Sequence, residues 1–163
     1  MDINLASKAT KDLETIIANC VRLNKGNDPR CLAAKDELNR RSPLDLEKSR
    51  TMILSAASEE RYLNYGKLAE ASGAKWGPSV RNAMNRHLWD LVSHAHDRGW
   101  PMLSAIVVNK RNLETGKMDP ETLKGFITAA HELGRRDIDA IPKIFLKKEQ
   151  QRLFDFAKEH PNR

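Results

Sequence analysis

The chain has 163 residues and only two cysteines, Cys20 and Cys31. In a reducing compartment they read as two small buried side chains. A disulfide is the alternative, and a zinc site is weaker still because no histidine lies near them in the sequence. No apolar run approaches the ~20 residues that a membrane-spanning helix needs. The opening stretch MDINLASKATKDLE places charges where a signal peptide needs an apolar core. The expectation is a cytoplasmic protein that makes no membrane contact. There is no glycine-rich phosphate loop, since Gly73 and Gly77 have neither the spacing nor the order of a nucleotide motif. Histidines at i and i+4, the common metal-ligand spacing, are missing as well. His87 and His94 lie a heptad apart, and His96 points off their face, which reads as a polar helix side. The carboxylate pairs Glu59-Glu60 and Asp137/Asp139 lack the lysine and further acids that a metal-dependent nuclease assembles. Ser104 has no evident His or Asp partner. No motif calls for a cofactor or a metal.

Positive charge is present, and it is concentrated. The net charge is +6 with a pI near 9.4. Residues 1–60 carry ten Lys/Arg and ten Asp/Glu. Residues 61–118 carry nine Lys/Arg against Glu70, Asp90, Asp97 and Glu114, and residues 119–163 carry nine against eight. A local positive field attracts phosphate.

The elements read as mostly helical. Leu5, Ala9, Leu13, Ile16, Ile17 and Cys20 recur at helical spacing and give one apolar face. NKGNDP is a turn, followed by a helix from Asp28 to Arg41 with Cys31, Ala34 and Leu38 inside. Ser42 reads as the cap of a third helix carrying Leu46, Met52, Ile53, Ala56 and Ala57. Asn64 opens a short helix that Gly73 closes, and Pro78 starts a longer one running to about Arg98. MLSAIVVN, residues 102–109, is the best strand, with NKRNLETGKM as a loop or hairpin tip. Asp119-Pro120-Glu121 starts a helix ending at Gly134. The stretch 141–160 closes the chain as a helix with Ile144, Leu153, Phe154 and Ala157 on its core side.

A short helix, a tight turn, a longer helix, then a strand and a basic loop is the order of a winged helix. The second helix of such a unit fits the major groove, and helix N-termini with basic side chains fix phosphates. Here its first turns offer Lys75, Trp76, Ser79, Arg81 and Asn82, followed by Asn85 and Arg86. Lys110 and Arg111 stand where a wing touches backbone. Among the tryptophans, Trp89 reads as core and Trp100 as packing over a helix end. Trp76 is the exposed candidate for stacking, with a packing anchor as the plainer alternative. Helix pairs that only pack together share this pattern.

NYGKLA, a turn, SVRNAM and then PMLSAIVVN resemble the DNA-binding domain of the alkyltransferase-like proteins and alkylguanine-DNA alkyltransferases. The resemblance covers residues 62–116 and rests on Tyr65, Gly66, Leu68, Ala69, Val80, Ala83, Met84, Val107 and Val108. It implies a winged helix-turn-helix fold, Tyr65 as a phosphate contact and the 80–86 helix as a groove reader. The departures fall on the chemistry. Ser104 stands where the family has its reactive cysteine, Ala105 where it has the neighbouring histidine, and Pro78 near its base-replacing arginine. Alkyl transfer by that route is therefore excluded.

The expectation is a mainly α protein. It has a helical N-terminal region (1–58), a central winged-helix-like unit with one or two short strands (59–118) and C-terminal helices (119–163). Its expected role is to bind duplex DNA without catalysis, as a regulator or accessory factor of a DNA-processing or defence system. The apolar stripe of the first helix would suit a homodimer. The alternative is a protein-binding adaptor or enzyme inhibitor, suited by the neutral N-terminal region.

Overall fold

A computed structural model describes residues 4–162. The protein is mainly α, with seven α-helices and one two-stranded sheet among those residues. It divides into two compact units, Met1–Ser42 and Pro43–Arg163. The stretch read as a single N-terminal region is thus split, its third helix belonging to the larger unit.

The smaller unit is a helical hairpin of α1 (Thr10–Arg22) and α2 (Pro29–Arg41). Asp28 caps α2 by accepting from the Arg30 N–H at 2.9 Å, and Pro29 takes the first helical position, where its missing donor costs nothing. Leu13, Ala34 and Leu38 form the core with Leu5. Leu5 and Ala9 were expected within the first helix but precede it. Leu5 is buried all the same, because Arg41 reaches from α2 to the carbonyls of Lys8 and Ala6, both at 2.8 Å.

The larger unit begins with α3 (Leu46–Ser58). Its cap is Asp45, which accepts from the Lys48 N–H at 2.9 Å, rather than Ser42. Ser42 precedes Pro43, is held extended by it, and closes α2 instead. Two residues of strand, β1 (Leu63–Asn64), lead directly into α4 (Tyr65–Ala71), which Asn64 caps. Then come α5 (Pro78–Asp97), a 3₁₀ turn at Leu103–Ile106 and β2 (Val107–Val108). After a second 3₁₀ turn at Lys110–Asn112, α6 (Pro120–Glu132) and α7 (Pro142–Glu159) complete the unit.

The segment expected as a strand over 102–109 is mostly a 3₁₀ turn. Only Val107 and Val108 are strand, and they pair in parallel with Leu63 and Asn64 rather than within a hairpin. The cause lies in α7. Glu149, almost fully buried, accepts the Met102 N–H at 2.9 Å. Gln150 donates to the carbonyls of Ala105 at 2.9 Å and Gly116 at 2.8 Å. These side chains take backbone groups that a hairpin partner would have used. The loop after β2 is consequently pinned inward, with Gly116 in the left-handed region and lying against the Tyr62 ring.

α7 packs on α3, α6 and the Leu103–Ile106 turn. Its core side carries Phe145, Leu146, Leu153, Phe154 and Ala157. Ile144, expected on that side, is exposed. The helix phase places Phe145 and Leu146 inward and leaves Ile144 beyond the edge of the stripe.

Candidate nucleic-acid interface

The candidate surface is built on α4, its turn and the start of α5. Leu68 and Ala69 anchor α4 in the core, while Val80, Met84, Leu91 and Val92 anchor α5. The turn between them is tight. Gly73, at φ 77°, donates to the Glu70 carbonyl, and Ala74 donates back to Ala69. Gly77 then caps α5 without a side-chain acceptor, and Pro78 takes its first position. The first-turn N–H groups of α5 therefore receive no capping side chain from Gly77.

Around this helix start the sequence contains no acidic residue between Glu70 and Asp90. Lys75, Trp76, Ser79, Arg81, Asn82 and Asn85 are all exposed. Three residues singled out from sequence converge. The Trp76 ring stacks on Tyr65 with centroids 6.4 Å apart and planes 23° apart. The Arg81 guanidinium lies 6.0 Å from the Trp76 centroid, in cation–π range. Trp76 remains 43% exposed, so this stack is a surface feature.

Tyr65 is half-buried. Burial pushes its phenol above the ordinary tyrosine range, Asp119 adds to the rise, and a hydrogen bond with the Thr122 side chain opposes it. Thr122 in turn donates to Asn109 at 3.1 Å. The Tyr65 ring is the part turned to the surface stack.

Arg86 stands apart from the others. It is half-buried, its Nε lies 3.9 Å from Asp90, and that buried Nε has no hydrogen-bond partner. Lys110 is exposed, while Arg111 is held by Asp119, which also accepts from Asn112 at 3.0 Å. That pairing holds the Asp119 carboxyl below its usual range. The basic loop is present, but half its charge is neutralised locally.

Two features escaped the sequence reading. The first is a cleft of about 760 Å³ between α5 and α6. Val92, Val107 and Phe126 line its apolar part, while Tyr65, Asn85 and Ser104 contribute polar groups. Only the three-dimensional splay of the helices creates it. The second is a buried pair, Ser49 Oγ and His87 Nε2, 2.7 Å apart. His87, read as part of a polar face, is in the core, and burial lowers its pKa to about 4. Its spacing from Met84, Leu91 and Ala95 already places it on the apolar stripe.

The carboxylates considered for a nuclease are separately paired: Glu59 with Arg61, Glu60 with Lys158, Asp137 with Arg135 and Asp139 with Lys148. Among the described residues no three His, Cys, Asp or Glu side chains gather as metal ligands. Nor is any described helix long and apolar enough to cross a membrane.

The larger unit is thus a helical domain with a parallel two-stranded sheet of two residues each and, at the start of α5, a basic face drawn from a stretch of sequence without acidic residues. No family model, curated protein or solved structure matches the chain.

Proposed function

We propose that this chain binds duplex DNA without catalysis, as a regulator or accessory factor of a DNA-processing or defence system. The observation that carries the reading is the face at the start of α5. There the exposed Lys75, Ser79, Arg81, Asn82 and Asn85 accompany the Tyr65–Trp76 stack, in a stretch that carries no acidic residue between Glu70 and Asp90. Basic and amide side chains beside open helix donors suit phosphates and base edges. The resemblance to the alkyltransferase-like DNA-binding domain supports the same face. Ser104 and Ala105, in place of that family's Cys and His, argue for binding alone. Lys110 contributes backbone contact from the neighbouring loop. Arg111 joins it only by exchanging Asp119 for phosphate, and Arg86 serves chiefly to set the helix.

Fluorescence anisotropy with a labelled duplex, across a salt series, tests this. Affinity is expected to fall steeply with salt, by about 0.9 in log K per log salt for each phosphate neutralised. Lys75→Ala and Arg81→Ala are each expected to lower that slope by about one. No binding at low salt, from protein with intact helical circular dichroism, sinks the reading.

The second reading is a protein-binding adaptor or inhibitor. It is favoured by Val21, Leu23 and Leu32, which are exposed apolar side chains on the smaller unit, within the charge-balanced stretch 1–60. Association through such a surface, with a partner or a second copy, is expected to change little with salt.

A further inference from the structure

We propose that Cys20 and Cys31 are a redox-active dithiol, which closes to an intramolecular disulfide between α1 and α2 when a low-molecular-weight disulfide oxidant is present. Both thiols are free in the structure, Cys31 fully buried and Cys20 half-buried. Cys20 sits near the end of α1 and Cys31 in the first turn of α2, across a short connection. That connection is well fixed. The Lys25 N–H donates to the Cys20 carbonyl at 2.8 Å and the Asp28 N–H to the Lys25 carbonyl at 3.0 Å. Both lie at the connected end of the hairpin, Cys20 on the side of α1 that carries Leu13, Ile16 and Ile17 and Cys31 on the side of α2 that carries Ala34 and Leu38, so the packed faces bring them together.

The surroundings make such a link consequential. Among the described residues the core of the smaller unit is small: Leu5, Leu13, Ala34 and Leu38, with Ile16, Ile17 and Ala33 packed against them. Helical pieces of this size gain most from a covalent tie. Exposure divides the roles. Cys20 is reachable and attacks the oxidant, and Cys31, shielded from it, resolves the product.

With oxidised glutathione the Cys20 thiolate attacks one glutathione sulfur, forming a mixed disulfide and releasing one glutathione thiolate. The Cys31 thiolate then attacks the Cys20 sulfur and releases the second. The two protein protons end on two glutathione thiols, and the protein is oxidised by two electrons. The hydrogen bond to Cys31 and burial raise the Cys20 pKa; Asp28 adds to this and Lys35 opposes it. Closure is therefore expected to speed up as pH rises toward the alkaline range.

The test uses the full chain, incubated with oxidised glutathione at neutral and mildly alkaline pH. Intact mass, non-reducing electrophoresis and amide exchange are the readouts. Expected are a monomer lighter by two hydrogens, no titratable thiol, and exchange in α1 and α2 slowed roughly tenfold or more. Cys20→Ser, at a half-buried site that accepts a hydroxyl, is expected to keep its helicity and remain without the link. Persisting glutathione adducts on the wild type, disulfide-linked dimers, thiols still free at alkaline pH, or closure without added protection would each overturn the proposal.

Discussion

His87 shows what one buried side chain does to the whole stability curve. Its folded pKa of about 4 lies below the ordinary histidine value of 6.5. The unfolded chain therefore binds a proton that the folded chain refuses. Stability from this group is complete above pH 6.5 and falls as pH drops toward 4, by about 3 kcal/mol over that window. Urea unfolding between pH 7 and pH 4.5 is expected to show the loss, and His87→Phe to flatten that part of the profile. Ser49→Ala at pH 7 leaves the His87 Nε2 buried without its partner, at a cost of about 1–3 kcal/mol. Gly116 is the other residue where one atom decides. At φ 69°, a Cβ there would run into the Tyr62 ring. Gly116→Ala is expected to destabilise by about 2 kcal/mol or more, read as a lower denaturation midpoint.

Among the elements, the helix boundaries were the most legible part of the sequence. Asp28, Asn64 and Pro78 open helices, and Gly73 closes one, for local reasons that operate wherever the chain is placed. The segment 102–109 was not legible. Its β-branched residues signal burial, but what they bury against depends on Glu149 and Gln150, far along the chain. No periodicity reveals that two polar residues of an amphipathic helix will be swallowed by the core. Glu149 also accepts from Arg135 at 2.9 Å and Arg152 at 3.0 Å, which explains how a carboxylate tolerates such burial. Glu149→Leu leaves the Met102 N–H without its acceptor and takes from Arg135 one of its two carboxylate partners, Asp137 remaining, and is expected to cost about 2–4 kcal/mol by denaturant unfolding. The candidate site divides in the same way. Exposure of Arg81 and Asn82 follows from helical phase, and that of Lys75 from its place in the turn before α5. The turn of Arg86 toward Asp90 and of Arg111 onto Asp119 depends on neighbours that the pattern does not rank.

For the molecule as a whole, the charge asymmetry and the division into units bear on experiment together. The smaller unit has few buried apolar side chains, and the larger has a continuous core from Leu44 to Ala157. Amide exchange of the reduced protein is expected to be faster in α1 and α2 than in α3, α5 and α7. The basic segment 61–118 lies in the larger unit, so phosphate affinity is expected to follow that unit's integrity.

The placement of α7 has a consequence for how the protein is made. This helix covers α3 and supplies the acceptor for Met102 and the donor for Ala105 and Gly116. All of these leave the ribosome before it does. Until α7 emerges, Ile53, Leu103 and Ile106 have no lid, and the backbone groups that Glu149 and Gln150 will satisfy are open to water. Chains cut short before Pro142 are therefore expected to fall short of the native fold of the larger unit, read as lost near-ultraviolet circular dichroism and fast amide exchange in α3.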